Sequence, residues 1–283
     1  MQQVTVRVPP STSNLGPGFD CLGVALRLYN KITITRRASS RHIPIVREAA
    51  AAFFRETNCK RFDFSCTISN EVPIARGLGS SATIRVGLLL ALNEIARTKL
   101  TRRSIFAIAA ALEKHPDNAA PAVFGGFTVA RGLEVQRFTV SSHLLFVLLI
   151  PSIKIATVKA RAVLPKSISH ANAVRSAGNA AAITAAFASG AYENLRGNFW
   201  DGFHQPYREK FIPHFSDCVE AAERAGALGA FLSGSGSAIC AIALRNADKI
   251  AVAMQAACSS NDAQTIIARA DNFGARTIAS PNR

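Results

Sequence analysis

Acidic residues are scarce in this chain: 18 aspartates and glutamates stand against 33 lysines and arginines, a formal net charge of +15. Such an imbalance is common among nucleic-acid binders. Two further lacks argue against that class. The basic residues are dispersed, with Arg36, Arg37 and Arg41 as their tightest cluster, and no aromatic residues interleave with them in sequence to stack bases. The expectation is a solvated basic surface that attracts ATP and has no nucleic-acid partner.

Long apolar runs are missing as well. Runs such as Leu144 to Ile150 are too short to cross a bilayer. Met1-Gln2-Gln3 lacks the charged and apolar leader of exported proteins, so a cytoplasmic location without membrane contact is expected. The six cysteines (Cys21, Cys59, Cys66, Cys218, Cys240, Cys258) show neither C-x-x-C spacing nor a paired histidine pattern. A zinc site and a disulfide framework are both disfavoured, and the thiols read as reduced, mostly buried small hydrophobes. Cys21, beside Asp20, is a candidate for thiol reagents without a catalytic role. No internal repeat is present.

With 283 residues, 49% of them hydrophobic, the chain is long enough for two moderate domains with real cores. Strand patterns fall at Val4–Val8, Asn30–Thr35, Asp63–Ser69, Gly126–Arg131, Leu144–Ile150, Ala230–Ser233 and Ala238–Leu244. Helical spacing falls at Ile45–Arg55, Ser81–Arg97, Arg102–Leu112, Asn172–Ala188, Tyr192–Phe199, Phe215–Ala225 and from Ala247. The pattern is α+β, with a boundary expected near Ser142, dividing residues 1–141 from 142–283.

The most informative segment is Pro73-Ile74-Ala75-Arg76-Gly77-Leu78-Gly79-Ser80-Ser81-Ala82, a glycine-serine turn running into an apolar helix. Gly77 and Gly79 permit positive φ and a close approach of backbone N–H groups to anionic oxygens, and the helix adds its positive end. The same turn also reads as a plain N-cap, with Ser80 or Ser81 expected to accept from the first free amides. No lysine follows the glycines, so it is not the G-x-x-x-x-G-K nucleotide loop.

Three more constellations accompany it: Asn14-Leu15-Gly16-Pro17-Gly18-Phe19-Asp20, His115-Pro116-Asp117-Asn118 with Gly125-Gly126 beyond, and Ser233-Gly234-Ser235-Gly236-Ser237 between two apolar runs. With Ala160-Arg161-Ala162-Val163-Leu164-Pro165 and His204-Gln205-Pro206-Tyr207-Arg208, in this order and over nearly the whole chain, they resemble the homoserine kinases. These are a branch of the small-molecule kinases named for galactokinase, homoserine kinase, mevalonate kinase and phosphomevalonate kinase.

The resemblance implies a two-domain kinase fold: an N-terminal half with the fold also seen in a ribosomal protein domain, a C-terminal ferredoxin-like half, and the active site between them. It implies that the amides of Pro73 to Ala82 wrap the ATP phosphates, that the hydroxyl of Ser81 (or Ser80) helps hold Mg²⁺, and that L-homoserine is the substrate. Asp20 then meets the ammonium, and Arg161 and Arg208 take the carboxylate as forked donors. Asn14, His115, Asp117 and Asn118 line the substrate site, and Thr157 lies near the reacting hydroxyl. No general base is assigned. A homodimer is left open, as it is common in the family.

Each residue has a plainer reading too: Asn14 and Asp20 as turn stabilisers, His115 and Asp117 as a cap pair, Arg161 or Arg208 as a surface salt bridge. The chain also departs from the family pattern. Ala111 stands where a glutamate is the expected magnesium ligand, and Glu113, two residues or roughly 200° along the helix, is expected on its other face. A hairpin is shortened before the helix containing Arg47, with Ile43 in place of an asparagine, which puts the adenine contacts in doubt, and Ser237 replaces a usual proline. Two alternatives follow: a kinase of the same fold acting on another small alcohol, or a degenerate nucleotide binder without turnover.

Overall fold

The computed structural model describes residues 3–36, 41–71, 73–258 and 262–278. Arg37 of the basic cluster and the leader residues Met1 and Gln2 lie outside them. In chain order the elements are β1 (Gln3–Val8), β2 (Ser11–Ser13), β3 (Leu22–Ala25), β4 (Asn30–Arg36), α1 (Pro44–Thr57), β5 (Phe64–Ser69), α2 (Ser80–Ala96), α3 (Arg102–Glu113) and α4 (Ala119–Phe124). Then follow β6 (Phe127–Arg131), β7 (Glu134–Phe138), β8 (Leu145–Ile150), α5 (Thr157–Ala162), α6 (His170–Ser189), α7 (Gln205–Arg208), α8 (Phe215–Arg224), β9 (Gly229–Leu232), β10 (Ile239–Ala243), α9 (Ala247–Cys258), β11 (Gln264–Arg269) and β12 (Arg276–Ile278).

Among the described residues the strands form three four-stranded sheets, ordered β12-β1-β4-β5, β2-β3-β6-β7 and β11-β8-β10-β9, with antiparallel pairing throughout. Period-two alternation builds the first: Val4, Val6 and Val8 of β1 and Ile32 and Ile34 of β4 are buried under α1, α2 and α3. Helix α2 is buried almost all round. It passes so close to β4 that a Cβ on Gly87 would lie 2.7 Å from Ile32 Cγ1. Helix α3 begins where the Thr101 side chain accepts from the Ser104 amide.

The third sheet with α8 and α9 follows the split β-α-β-β-α-β order, the expected ferredoxin-like half, with α5, α6 and α7 inserted after β8. Strands β8, β9 and β10 read as near-continuous apolar runs because both faces are covered, one by α8 and α9 and the other by α6 and the second sheet. β8 begins close to Ser142, yet β12 pairs with β1, so the end of the chain completes the first sheet. Arg102 on α3 fastens this return, donating to the carbonyls of Val123 at 2.6 Å and Ala275 at 2.8 Å.

Some expectations need correction. Tyr192–Phe199 is not a helix but a single 3-10 turn over Tyr192–Leu195, because Gly197 takes a left-handed φ of +75°. Rings also reach the basic residues through space: Arg36 lies 4.7 Å over Phe62, and His42 stacks on Phe64. All six cysteines are free; Cys218, Cys240 and Cys258 are buried and Cys21 is exposed. Partial burial and the neighbouring Asp20 charge raise the Cys21 pKa, which counts against its reactivity as a thiolate. Among the described residues no helix is long and apolar enough to cross a membrane.

Candidate active site

A cleft of about 350 Å³ opens where the start of α2 faces the turn between β9 and β10. One wall is the segment before α2. Gly79, at φ +65°, heads a helix that has no side-chain cap, so the plain capping role expected of Ser80 or Ser81 is not what they do. Ser80 Oγ instead accepts from the Ala75 amide at 3.4 Å. The first amides of a 17-residue helix are thus left for an anion.

The glycines also answer a packing demand that their sequence context does not reveal. A Cβ on Gly77 would lie 2.1 Å from the Ser233 carbonyl oxygen, and one on Gly79 2.6 Å from both Asn118 Oδ1 and Ser11 Oγ. Ile74, Ala75, Gly77, Gly79, Ser80 and Ser81 line the cleft. Pro73, Arg76, Leu78 and Ala82, expected in the same wall, do not. Leu78 and Ala82 are core residues, and Arg76 turns away to donate to the Ser152 carbonyl at 2.6 Å.

Short polar side chains of β2 tie this wall to the rest of the site. Ser11 Oγ donates to Asn118 Oδ1 at 2.9 Å, Asn118 Nδ2 to Ser13 Oγ at 3.0 Å, Thr12 to Ser233 Oγ at 2.9 Å, and Ser233 to the Gly77 carbonyl at 2.8 Å. Asn14 joins from the next turn, its Nδ2 donating to the Gly234 carbonyl at 2.9 Å while its Oδ1 accepts from the Asp20 amide at 3.0 Å. Asn14 and Asn118 therefore spend their side chains on the protein.

Opposite lies a charged end. Arg161 of α5 grips Asp20 with both Nη atoms, at 3.0 and 2.5 Å. Arg208 of α7 is buried, donating from Nε to the Ala160 carbonyl at 3.0 Å and from Nη1 to that of Gly234 at 3.1 Å. Burial, followed by repulsion from Arg161, lowers its pKa to about 10, which leaves it charged at neutral pH. Phe19 sits between the two guanidiniums, 5.4 Å from Arg161 and 5.1 Å from Arg208. Behind it stacks His204, whose ring Nε2 meets the Gly16 carbonyl at 2.9 Å and whose Nδ1 meets Arg208 at 3.2 Å. This arrangement fits a neutral ring with the proton on Nε2, in line with a pKa that burial pushes down to about 4.

Between the two ends stand His115 and Asp117, paired Nδ1 to Oδ1 at 2.9 Å. Burial would raise the Asp117 pKa, but the hydrogen bond and charge of His115 outweigh it and keep Asp117 ionised. The same contact outweighs burial at His115 and raises its pKa. Thr157, at the first turn of α5, lines the cleft beside Arg161.

One expectation is overturned. Ala111 is exposed and does not line the cleft, whereas Glu113 does, and Ser81 Oγ donates to its Oε2 at 2.8 Å. The two residues do lie on different faces of α3, but the face turned to the cleft is that of Glu113, the last residue of the helix, before Lys114 turns the chain at φ +68°. Arg85, one turn beyond Ser81 on α2, also contacts Glu113. The cleft's remaining end is apolar, with Ile43, Ile45, Ile74 and Ile84.

Nothing in the sequence pointed to Phe19, Arg85, Glu113 or His204. Phe19 and His204 stood inside quoted motifs; Arg85 carried no signal beyond its position one turn after Ser81.

The N-terminal domain model of the GHMP kinases matches residues 44–126, and the C-terminal model residues 180–260. The homoserine kinase of Caldicellulosiruptor saccharolyticus is 36% identical over 98% of this chain and 97% of its own length. That of Microchaete diplosiphon is 38% identical over 91% of both chains. Among solved structures, homoserine kinase from Cytophaga hutchinsonii superposes with a TM-score of 0.89 at 25% identity, covering 98% of each chain.

Proposed function

The chain belongs to the homoserine kinases, a branch of the GHMP kinase family, and from that premise we propose that its cleft transfers the γ-phosphoryl group of ATP to the side-chain hydroxyl of L-homoserine. The product is O-phospho-L-homoserine, on the route to threonine. One observation carries the reading at the level of residues: the cleft has an uncapped helix N-terminus at one end and the Asp20–Arg161 ion pair at the other.

The triphosphate lies along the amides from Gly77 to Ser81, and the isoleucine end receives the base. Homoserine is a zwitterion. To bind, it parts Arg161 from Asp20 and repays both, its carboxylate to Arg161 and Arg208 and its ammonium to Asp20. A molecule with only one of the two charges leaves a partner unpaired, which is the physical basis of selectivity. Thr157, His115 and Asp117 surround the hydroxyl, while Asn14 and Asn118 shape the wall. As the new O–P bond forms and the bond to ADP breaks, the hydroxyl proton leaves; no residue is assigned as its acceptor.

Glu113 and Ser81 fit a magnesium ion. A carboxylate and a hydroxyl stand together at the cleft wall before α2, hard oxygen donors of the kind Mg²⁺ takes, and Mg²⁺ needs few protein oxygens. When bound, it neutralises charge on the phosphoryl oxygens. We also propose a division near Ser142, with β12 returning to the first sheet, and a cytoplasmic location, where ATP is made available to biosynthesis.

ADP release by the purified protein with ATP and Mg²⁺ tests the reading, with L-homoserine compared against mevalonate, shikimate, L-threonine, 3-aminopropan-1-ol and 4-hydroxybutanoate. Turnover confined to homoserine is the expected result. Equal turnover of a singly charged analogue would remove the ion-pair exchange, and ATP binding without turnover of any acceptor would favour the degenerate binder.

A further inference from the structure

We propose that Arg85 is a displaceable counter-ion: in the free enzyme it holds the Glu113 carboxylate that the metal–ATP complex needs, and it yields Glu113 by moving wholly onto Glu48. The proposal rests on the assignment of Glu113 to magnesium.

Arg85 and Ser81 are four residues apart on α2 and share a face, so both reach Glu113 at the end of α3. Arg85 does not fork onto Glu113. Its Nη1 contacts Glu113, its Nη2 contacts Glu48 of α1 at 3.2 Å, and its Nε is buried without a partner. One guanidinium is thus divided between two carboxylates, bound fully to neither.

The carboxylates differ in setting: the Glu113 side chain is 6% exposed and faces the cleft, while that of Glu48 is 57% exposed and lies outside it. A divalent cation on Glu113 repels the guanidinium, and the charge of Glu48 stands ready one contact away. Arg85 therefore keeps a buried carboxylate neutralised before ATP arrives, and in doing so competes with the metal.

The test measures Mn²⁺ binding, by the electron paramagnetic resonance of free Mn²⁺, to the full chain in the presence of a non-hydrolysable ATP analogue. Arg85→Met is expected to bind Mn²⁺ roughly tenfold more tightly, in the range of ordinary coupling between competing sites. Glu48→Gln leaves Arg85 with Glu113 alone and is expected to weaken Mn²⁺ binding by about threefold. In the Arg85→Met background, Glu48→Gln is expected to change nothing, because its effect passes through Arg85.

Equal or weaker Mn²⁺ binding by Arg85→Met overturns the proposal. So does a Glu48→Gln effect that survives in the Arg85→Met background, which is then a charge acting through space. If Arg85→Met fails to fold, Glu48→Gln decides alone, and unchanged or tighter binding sinks the exchange. A wild-type protein that neither binds Mn²⁺ with the analogue nor phosphorylates homoserine instead sinks the functional reading; one that does both while the variants stay unmoved sinks only the role of Arg85.

Discussion

Gly79 carries two constraints at once: a left-handed φ of +65°, and the approach of Asn118 and Ser11 to within 2.6 Å of where a Cβ would stand. Gly79→Ala is therefore expected to cost about 1–3 kcal/mol of stability in backbone strain. It should also push Asn118 aside, raising KM for ATP about tenfold or more with a smaller change in KM for homoserine. Steady-state kinetics with a melting curve check this, and an unchanged KM for ATP would contradict the packing argument. Ala111 supplies the converse case. Because it faces solvent, Ala111→Glu is expected to leave the magnesium dependence of turnover as in the wild type; activity gained at low magnesium would mean that α3 presents the other face to the cleft.

At the scale of elements, β1, β4, β5, α1, α2, α3 and α9 were legible because each repeats apolar residues at period two or 3.6, and β8 and β10 because each is a continuous apolar run of five residues or more. The strands β2, β3, β7, β11 and β12 were not. β2 is Ser11-Thr12-Ser13, buried with no apolar residue, and its stability lies in hydrogen bonds to partners more than a hundred residues away. β12 is short and owes its place to Arg102 as much as to β1. Arg102→Ala leaves the carbonyls of Val123 and Ala275 without these donors, a loss of roughly 1–3 kcal/mol. The expected result is a melting point lower by several degrees, with amide exchange in residues 276–278 rising more than in β4. Uniform exchange across the sheet would place the fastening of β12 elsewhere.

For the whole molecule, His204 and His115 contribute to the dependence of stability on pH in opposite senses. His204 has a folded pKa near 4 against an ordinary 6.5, so between those values the unfolded chain binds a proton that the fold refuses, and stability falls as pH falls. His115 acts in the opposite sense: its raised pKa gives a contribution complete below about 6.5 and lost as pH rises through the folded value. The melting temperature should therefore peak near pH 6.5 and fall on both sides. A melting point that stays level from about pH 7 to about pH 4.5 would show that His204 is not held neutral.

The amino-acid sequence alone determined the α+β class, the family resemblance, and the motifs that carry the glycine-serine turn before α2 and the charged residues Asp20, Arg161 and Arg208, which the fold brings to one cleft. These are written in short contiguous motifs, where glycine, proline and charge fall within a few residues of one another. Only the tertiary structure decided that Glu113 rather than Ala111 meets Ser81, that Asn14 and Asn118 spend their side chains on the protein, and that Arg85 is shared by two carboxylates. Each of these depends on which face a helix presents after packing, or on partners distant in the chain. Local propensity carries no record of either, because the deciding contacts form only once the sheets and helices have closed on one another.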